Sequence, residues 1–369
     1  MRKVVFLNSP ELWQGGFGPN HPLKQERLQR TYDLLHELGA FEAPNVRVID
    51  PIPPRDDELA LFHTREYIDA VQSLSKGETH IPASRYGFGL GDNPIFSGMF
   101  ESAKLKVGCT LLGAKLLVNR ECEIAFSYSG GMHHAGPNFA SGFCIFNDAA
   151  VAIHWLMNQG LRVAYVDIDV HHGDGVQNAF YDTDRVLTIS LHQSGHTLFP
   201  GTGFVDEIGN GEGEGYCVNV PFPPYTDDES YLWAFRQIVP PLVERFEPNI
   251  LVTQLGVDTH YLDPLASLVL TTHGHKALFE ELSRLSSCWL ALGGGGYDIN
   301  VVPRAWTLAF SIMSEHSFPA ELPPQYQTKY GGKWLEDQQT PHIDEHIQTL
   351  AKRRVEEIVG HVKERHGLS

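Results

Sequence analysis

Short apolar runs alternate with longer stretches of helical periodicity through most of the chain. A continuous apolar run is typical of a strand that is covered on both faces, whereas an apolar residue at every third or fourth position is typical of a helix. The runs predict strands at residues 3–8, 46–50, 123–128, 162–169, 186–192, 217–221, 250–255 and 288–292. The periodicity predicts helices at residues 23–38, 95–118, 148–159, 227–246 and 273–285. This alternation predicts an α/β fold with a doubly wound, mostly parallel sheet flanked by helices.

No linker or repeat interrupts the alternation, so we expect a single domain over residues 1–369. From about residue 333 the chain changes character and becomes a charged, helical tail. Residues 343–364 are predicted to form a surface helix with charges on most of its faces. A solvated helix is favoured there over a helix that binds a partner.

Composition and charge narrow the class of partner. The chain has 369 residues, with 28 Lys and Arg against 45 Asp and Glu, and its formal net charge is −17. This excess of acid argues against a nucleic-acid partner, because it repels phosphate. No run reaches the ~18 apolar residues of a membrane-spanning helix, so no membrane partner is expected. Five scattered cysteines without a CxxC motif are typical of reduced thiols, which predicts a cytoplasmic protein. The sequence leaves the oligomeric state open.

The most informative stretch follows the predicted strand at residues 162–169. Asp167, Asp169 and His171 are spaced two apart, so a strand would place them on one face. Two carboxylates and an imidazole at one point repel or lose solvation unless a cation joins them. Asp258, which follows the strand at residues 250–255, could supply a third ligand and leave a position open for water. Any one of these residues alone is more often a helix cap or a surface residue, but the whole string favours a metal site.

An adjacent histidine pair, His133 and His134, follows the strand at residues 123–128 in a glycine-rich loop. Such histidines can approach a metal-bound water, and one can act as a general base. A histidine used in this way needs a carboxylate to fix its tautomer, and Asp167 and Asp174 are available. Two solvent-exposed loop histidines are the alternative.

Four consecutive glycines at residues 293–296 precede Tyr297 at the end of the last predicted strand. Glycines let the backbone pass close to a ligand, but the Lys and Ser or Thr of a phosphate-binding loop are absent. We interpret Tyr297 as a hydrogen-bond donor to a carbonyl or a developing oxyanion. An ordinary half-buried tyrosine is the alternative.

Eight short motifs occur in one order between His21 and Trp306. They lie at residues 21–24, 62–68, 130–134, 141–144, 167–174, 199–203, 254–258 and 293–297. Together they resemble the motifs of the zinc-dependent histone deacetylase superfamily, in particular its bacterial acetoin-utilisation branch, with class I-type motifs. The resemblance implies an arginase/deacetylase-like fold.

The resemblance also implies a role for each polar residue described above. It implies three ligands for one Zn²⁺ per chain: Asp169, His171 and Asp258. His134 matches the general base and acid of the family, and His133 matches a neighbouring electrostatic histidine. Asp167 would pair with His133 and Asp174 with His134. Tyr297 matches the residue that polarises the amide carbonyl.

The substrate would enter a tunnel for acyl-lysine, as the resemblance implies. Its lining residues would be Phe143, Phe199 and Gly142. Asp92 resembles a rim acid that grips the substrate backbone, and Arg27 resembles an arginine near an internal acetate cavity. Leu265 stands where polyamine-selective members carry Glu, so it favours acyl-lysine in a peptide over acetylpolyamine.

Bound K⁺ or Na⁺ is a further implication of the resemblance. One monovalent-cation site beside the zinc would use Asp167, Asp169, His171, Ser190 and Leu191. A second site would use Phe180, Thr183, Val186 and Tyr216.

The sequence therefore predicts a zinc-dependent amide hydrolase that removes acyl groups, including acetyl, from lysine side-chain amines. The expected partner is an acylated protein or peptide. Three alternatives remain: a hydrolase of acetylpolyamines or other small amides, an arginase-like ureohydrolase with two Mn²⁺ ions, and a non-catalytic acyl-lysine-binding protein. Fe²⁺ suits the same ligands as Zn²⁺.

Overall fold

The protein is built around one eight-stranded parallel sheet. A computed structural model describes residues 1–89 and 91–369. The strands are β1 (Val4–Leu7), β2 (Val46–Ile49), β3 (Ile124–Ser127), β4 (Val163–Asp167), β5 (Val186–Gln193), β6 (Cys217–Phe222), β7 (Ile250–Gln254) and β8 (Trp289–Leu292). Their order is β2-β1-β3-β8-β7-β4-β5-β6, and every neighbouring pair runs parallel. The predicted α/β fold is confirmed, and all eight predicted strands form.

Continuous burial explains why the strands were visible as apolar runs. Every residue of every strand except β2 is buried. The edge strand β2 has two exposed residues, Arg47 and Val48. Parallel sheets of this kind require helices on both faces, and those helices bury the apolar side chains that point to either side.

The helices of the described residues surround the sheet. They are α1 (Glu26–Glu37), α2 (Asp56–Leu59), α3 (Arg65–Ser75), α4 (Met99–Val118), α5 (Asp148–Asn158), α6 (Asp174–Ala179), α7 (Asp228–Phe246), α8 (Thr272–Leu285), α9 (Val301–Ser314), α10 (Pro324–Tyr330) and α11 (Glu345–His366). None of these helices is long and apolar enough to cross a bilayer.

Some helix boundaries differ from the predicted ones. Helix α4 begins at Met99 rather than at residue 95, because Gly98 adopts a left-handed conformation with φ of 80°. Among the helices that lie outside the predicted ranges, the longest are α3 and α9. In α9 nearly the whole circumference is buried, so a polar face that would reveal the helical period is missing.

The C-terminal region packs against the domain instead of forming a solvated tail. Helix α11 buries an apolar stripe that consists of Ala351, Val355, Ile358, Val359 and Val362, and this stripe faces α7 and β6. Charges on most faces of this helix are confirmed, but the expectation that the helix is solvated is wrong, because its one uncharged face packs against the domain. The segment before it is also anchored, since Leu335 and Asp337 are buried.

The loops that follow β3, β8, β7 and β4 meet at one edge of the sheet. These four strands are consecutive neighbours, so their carboxyl ends lie side by side. The loop after β3 carries the histidine pair, and the loop after β4 carries Asp169 and His171. The loops after β7 and β8 carry Asp258 and Tyr297. Sites in parallel α/β sheets lie at this edge, and the predicted metal ligands, the histidine pair and Tyr297 are found there.

Candidate active site

Asp169, His171 and Asp258 converge in a buried cluster. The Nδ1 atom of His171 lies 3.1 Å from Oδ1 of Asp169 and 3.0 Å from Oδ2 of Asp258. All three residues are buried, and one potential ligand atom from each lies within 4.8 Å of the others. The convergence that the sequence predicted is therefore present, and the three side chains can hold one metal ion.

The electrostatics of this cluster fit a dication. One imidazole Nδ1 carries at most one proton, yet it faces two carboxylates. Burial lowers the pKa of His171, but its hydrogen bonds to Asp169 and Asp258 outweigh that effect and raise the pKa to about 10. Burial and the charge of Asp169 raise the pKa of Asp258 to about 6. Two buried carboxylates thus need more positive charge than one proton supplies, and an oxygen, nitrogen, oxygen donor set suits a dication with an open position.

Neighbouring groups orient the two carboxylates. The Nε2 amide of Gln254 and the backbone N–H of Gly295 donate to Oδ2 of Asp169, at 2.6 and 2.7 Å. The backbone N–H of Val170 donates to Oδ1 of Asp258 at 2.8 Å. A Cβ atom at position 295 would overlap both carboxylates, so glycine is required there. Sequence reasoning did not assign these roles to Gln254 and Gly295, although both stand inside the motifs it singled out.

Each histidine of the pair has its own carboxylate. Nδ1 of His133 lies 2.7 Å from Oδ2 of Asp167, and Nδ1 of His134 lies 2.6 Å from Oδ1 of Asp174. Because a carboxylate only accepts, both Nδ1 atoms carry the proton, and the two Nε2 atoms face each other at 3.0 Å. Oδ2 of Asp167 also accepts a hydrogen bond from the Tyr165 hydroxyl at 2.7 Å.

The two histidines differ in charge. Burial lowers the pKa of His133, but the charges of Asp167 and Asp169 outweigh it and raise the pKa to about 9. For His134, burial and the charge of His133 lower the pKa to about 4. With these pKa values His133 carries a proton on both ring nitrogens at neutral pH, and its Nε2–H faces the unprotonated Nε2 of His134 at 3.0 Å. Such a neighbouring acid and base can move protons for a hydrolytic reaction.

Tyr297 lies over the same cluster. Its backbone N–H donates to Oδ2 of Asp263 at 2.8 Å, and its ring centroid is 6.3 Å from that of His171. Burial and the charges of Asp258 and Asp169 raise the pKa of Tyr297 well above its usual value. The hydroxyl therefore remains protonated and can donate a hydrogen bond.

Aromatic rings and a glycine flank the histidines. The ring of Phe199 lies 5.1 Å from that of His134, and the ring of Phe143 lies 5.7 Å from that of Tyr297. Gly142 adopts a φ of 50°, and a Cβ there would overlap the His134 ring. The backbone can pass this close to the histidine only with glycine.

The two remaining candidates for substrate contact lie further out. Leu265 is half-buried and connects to the site through Asp263, whose Oδ1 accepts the Leu265 N–H at 3.0 Å. Asp92 is exposed, and its carbonyl oxygen lies 3.1 Å from Nε2 of His21, whose ring packs 4.5 Å from that of Phe143. A substrate contact by the Asp92 carboxylate stays a prediction.

Comparison with known proteins identifies the family. The model of the histone deacetylase domain matches residues 21–313 of this chain.

This chain belongs to the histone deacetylase family.

Relatives and solved structures agree with this assignment. The acetoin utilization protein AcuC of Bacillus subtilis is 41% identical over 344 residues, which cover 89% of this chain and 87% of AcuC. Histone deacetylase 9 of Arabidopsis thaliana is 39% identical over 330 residues, which cover 89% of this chain and 77% of the plant protein. A crystal structure of a histone deacetylase homolog complexed with SAHA matches with a TM-score of 0.89 and 30% identity over 98% of this chain and 100% of that one. The homolog from Aquifex aeolicus gives a TM-score of 0.88 at 30% identity, with the same coverage of both chains.

The resemblance to the family and to its bacterial acetoin-utilisation branch is thereby confirmed. The arginase/deacetylase-like sheet is confirmed as well. As a histone deacetylase family member, the protein is a hydrolase of the deacetylase class.

The residues that the family resemblance assigned to monovalent cations lie on and beside β4, β5 and β6. Asp167 and Ser190 are direct neighbours in the register of β4 and β5. The Leu191 carbonyl already accepts a hydrogen bond from Tyr231 at 2.9 Å. In the second set, the backbone oxygen of Phe180 accepts a hydrogen bond from the backbone N–H of Thr183. Val186 is the first residue of β5, and Tyr216 directly precedes β6. Binding of K⁺ or Na⁺ at either set stays a prediction.

Arg27 supports the glycine loop of the deacetylase site. Its buried guanidinium donates to the carbonyl oxygens of Gly294 at 2.7 Å and Gly296 at 3.1 Å. It also lies 5.2 Å from the ring centroid of Trp306. Arg27 thus joins α1 to the loop that ends in Tyr297, and the acetate cavity that the resemblance implied beside it stays a prediction.

Proposed function

We propose that this protein is a zinc-dependent deacylase that cleaves the amide between an acyl group and the side-chain amine of lysine in a protein or peptide. One observation carries the proposal: the buried Asp169, His171 and Asp258 cluster lies beside two histidines that each have a carboxylate partner. Family membership gives the reaction class, and this cluster supports the metal-dependent form of it.

Asp169, His171 and Asp258 would hold the zinc ion. When bound, Zn²⁺ would polarise the amide carbonyl as a Lewis acid and lower the pKa of a water molecule. Three protein ligands with an open position are typical of catalytic zinc sites. Fe²⁺ accepts the same donors, so the native metal is part of the test.

The protein groups would divide the proton transfers between them. Nε2 of His134 takes a proton from the attacking water, and Asp174 stabilises the imidazolium that forms. The water oxygen adds to the carbonyl carbon, and the Tyr297 hydroxyl donates a hydrogen bond to the oxyanion. The protonated histidine then gives its proton to the leaving amine as the carbon–nitrogen bond breaks. The products are a carboxylic acid and the free lysine amine, while the His133 cation offsets negative charge at the site.

The walls of the site support an extended acyl-lysine chain as the substrate. Phe143 and Phe199 offer apolar rings beside Tyr297 and His134, and the missing Cβ of Gly142 lets the backbone lie against the His134 ring. Leu265 offers no charge to a distant ammonium group, which favours a peptide over an acetylpolyamine. The net charge of −17 attracts basic peptides at long range.

The same proposal includes bound monovalent cations and the compartment in which the enzyme acts. We expect K⁺ or Na⁺ to bind the two sets of residues named above. We expect the protein to act in the cytoplasm, which is consistent with its five cysteines, none of which forms a disulfide within the described chain.

A substrate panel tests the proposal. The purified protein, loaded with Zn²⁺ or with Fe²⁺, is assayed on acetyl-lysine and longer acyl-lysine peptides and on acetylspermidine, with and without a hydroxamate chelator. We expect hydrolysis of at least one peptide, inhibition by the hydroxamate, and a rate on acetylspermidine that is at least about tenfold lower. If neither metal form hydrolyses an amide, the proposal is contradicted, and a non-catalytic acyl-lysine-binding protein is the remaining interpretation. Two metal ions per chain would favour the arginase-like alternative.

A matched pair of variants tests the substrate class. Leu265→Glu places a carboxylate beside the site, so we expect it to raise the rate on acetylspermidine relative to the peptide. Leu262→Glu is the control, because Leu262 lies on the same loop and is 48% exposed. Equal effects of the two substitutions would contradict the role of Leu265.

A further inference from the structure

Asp337 connects the C-terminal region to the active site. It lies after α10, beyond residues 21–313 that match the family domain. Its side chain is buried. Oδ2 accepts the backbone N–H of Thr272 at 2.9 Å, and the backbone N–H of Asp337 donates to the Thr272 hydroxyl at 2.8 Å. These bonds fasten the segment to the first turn of α8.

The same carboxylate binds the loop of the metal ligand Asp258. Nε2 of His260 lies 2.8 Å from Oδ2 of Asp337. Nδ1 of His260 accepts the backbone N–H of Leu262 at 3.2 Å, so Nε2 carries the proton and donates it to Asp337. His260 is fully enclosed and stands two residues after Asp258.

This loop also positions Tyr297. The backbone N–H of Asp263 donates to the carbonyl of His260 at 2.8 Å. The carboxylate of Asp263 in turn accepts the backbone N–H of Tyr297 at 2.8 Å. A shift of His260 would therefore move the metal ligand and the anchor of the tyrosine together.

The other oxygen of Asp337 binds the helix that follows the Tyr297 loop. Arg304, on α9 directly after the Tyr297 loop, donates from its guanidinium to Oδ1 of Asp337 at 2.9 Å. The same guanidinium reaches the carbonyl of Leu335 at 3.3 Å. A buried carboxylate is costly unless it is paired, and this one is paired with His260 of the Asp258 loop and with Arg304 of α9. Burial raises the pKa of Asp337, but the bonds to His260 and Thr272 outweigh it and keep the pKa well below its usual value.

We propose that Asp337 is a positioning residue for the active site, acting through His260 and Arg304 on the spacing between the Asp258 loop and the Tyr297 loop. The inference rests on the proposed function for its catalytic consequence. It implies that the segment beyond the matched domain is part of the working enzyme. Partners that orient metal ligands from outside typically contribute about 10- to 100-fold to metal affinity or activity.

The test compares Asp337→Asn with Glu336→Gln in the full chain. Glu336 ties the same segment to the same helix, through Lys276 at 2.8 Å and His273 at 2.8 Å, but none of its ion pairs reaches a site loop. Zn²⁺ affinity is measured by competition with a chelator, and kcat and KM are measured on the best peptide of the panel. We expect Asp337→Asn to lower Zn²⁺ affinity or kcat by about 10- to 100-fold, with KM within about twofold. Glu336→Gln should change each by less than about twofold.

A second variant separates positioning from general stability. His260→Gln removes the link to the Asp258 loop and leaves Asp337 its bonds to Thr272 and Arg304. It should reproduce most of the loss, and adding Asp337→Asn to it should cost less than the two single losses multiplied. If Asp337→Asn fails to fold, His260→Gln is compared with Glu336→Gln in its place.

Three results would overturn the inference. The first is that Asp337→Asn has the same Zn²⁺ affinity and kcat as Glu336→Gln. The second is that the loss in the double variant equals the product of the two single losses. The third is that Asp337→Asn lowers the melting temperature and changes neither Zn²⁺ affinity nor kcat. If the unaltered protein hydrolyses no amide, the proposed function fails. The Zn²⁺ affinities then still decide whether Asp337 positions the ligand loop.

Discussion

The Nδ1 atom of His134 donates to Oδ1 of Asp174 over 2.6 Å, and this bond leaves Nε2 of His134 as the unprotonated nitrogen that can act as a base. His133, one residue earlier, is bound in the same way to Asp167 but carries a positive charge. Two adjacent histidines thus acquire different protonation states from their surroundings. In the proposed reaction this difference assigns the base to His134 and the electrostatic role to His133.

Replacing His134 with Ala should remove the base without removing the metal site. We expect kcat to fall by about 100- to 10,000-fold, because a positioned general base contributes that much. Zn²⁺ affinity should stay within about threefold, since none of the three ligand residues is changed. The control is His196→Ala, at an exposed loop histidine. Unchanged kcat on the best acyl-lysine peptide would contradict the assignment of the base.

Replacing Tyr297 with Phe should remove one donor to the oxyanion and leave the loop in place. The loop is held through the backbone N–H of Tyr297, which the substitution keeps. We expect kcat to fall by about 100- to 1,000-fold, as for loss of one oxyanion donor. Tyr225→Phe, at a tyrosine that is 45% exposed, makes the same chemical change away from the site. A kcat within about threefold of the unaltered protein would show that the hydroxyl does not act on the transition state.

Removing the metal should destabilise the folded protein. A ligand that binds only the folded state stabilises it by about 2.7 kcal/mol at a concentration a hundredfold above its dissociation constant. We therefore expect Zn²⁺ to raise the melting temperature of protein that has been treated with a chelator. Asp258→Asn should abolish most of this rise, because it removes one of the three buried ligands. Asp69→Asn, at an exposed acid, should preserve it; equal zinc-dependent rises in both variants would contradict the ligand assignment.

Acid should weaken folding through buried neutral histidines such as His275. This residue is fully buried, and Nε2 lies 2.7 Å from the Thr259 hydroxyl. Burial, with a further contribution from His260, lowers its pKa to about 3, whereas an unfolded histidine titrates near 6.5. Between these values the unfolded chain binds a proton that the folded chain does not. Stability is therefore complete above pH 6.5 and is lost as the pH falls, by about 2 kcal/mol at pH 5.

Urea unfolding at pH 7 and pH 5 measures this effect. His275→Gln should lose about 2 kcal/mol less than the unaltered protein between the two pH values. His346→Gln, at an exposed histidine of α11, should lose as much as the unaltered protein. If His275→Gln shows the same loss as His346→Gln, the buried histidine is not a source of the acid sensitivity.

Local sequence patterns predicted the strands that are buried on both faces and the helices that have distinct buried and exposed faces. Strands such as β7 are buried on both faces, so their residues are apolar without interruption. Helix α11 was placed correctly along the chain, but its environment was not. Its five buried apolar residues are spaced so that they form one stripe, and the many charges between them concealed it. Charge counted along the sequence does not show which face of a helix is buried.

The sequence by itself determined the alternation of strands and helices and, through short motifs, the set of residues that can bind a metal and transfer protons. Those features depend on residues that lie within a few positions of one another in the sequence. Only the tertiary structure decided that Gln254 and Gly295 hold Asp169, and that Asp337 binds His260 across 77 positions of the chain. Such contacts form because loops that are far apart in the sequence meet at the sheet edge. The distances between their hydrogen-bonding atoms depend on the folded chain and do not follow from residue spacing in the sequence.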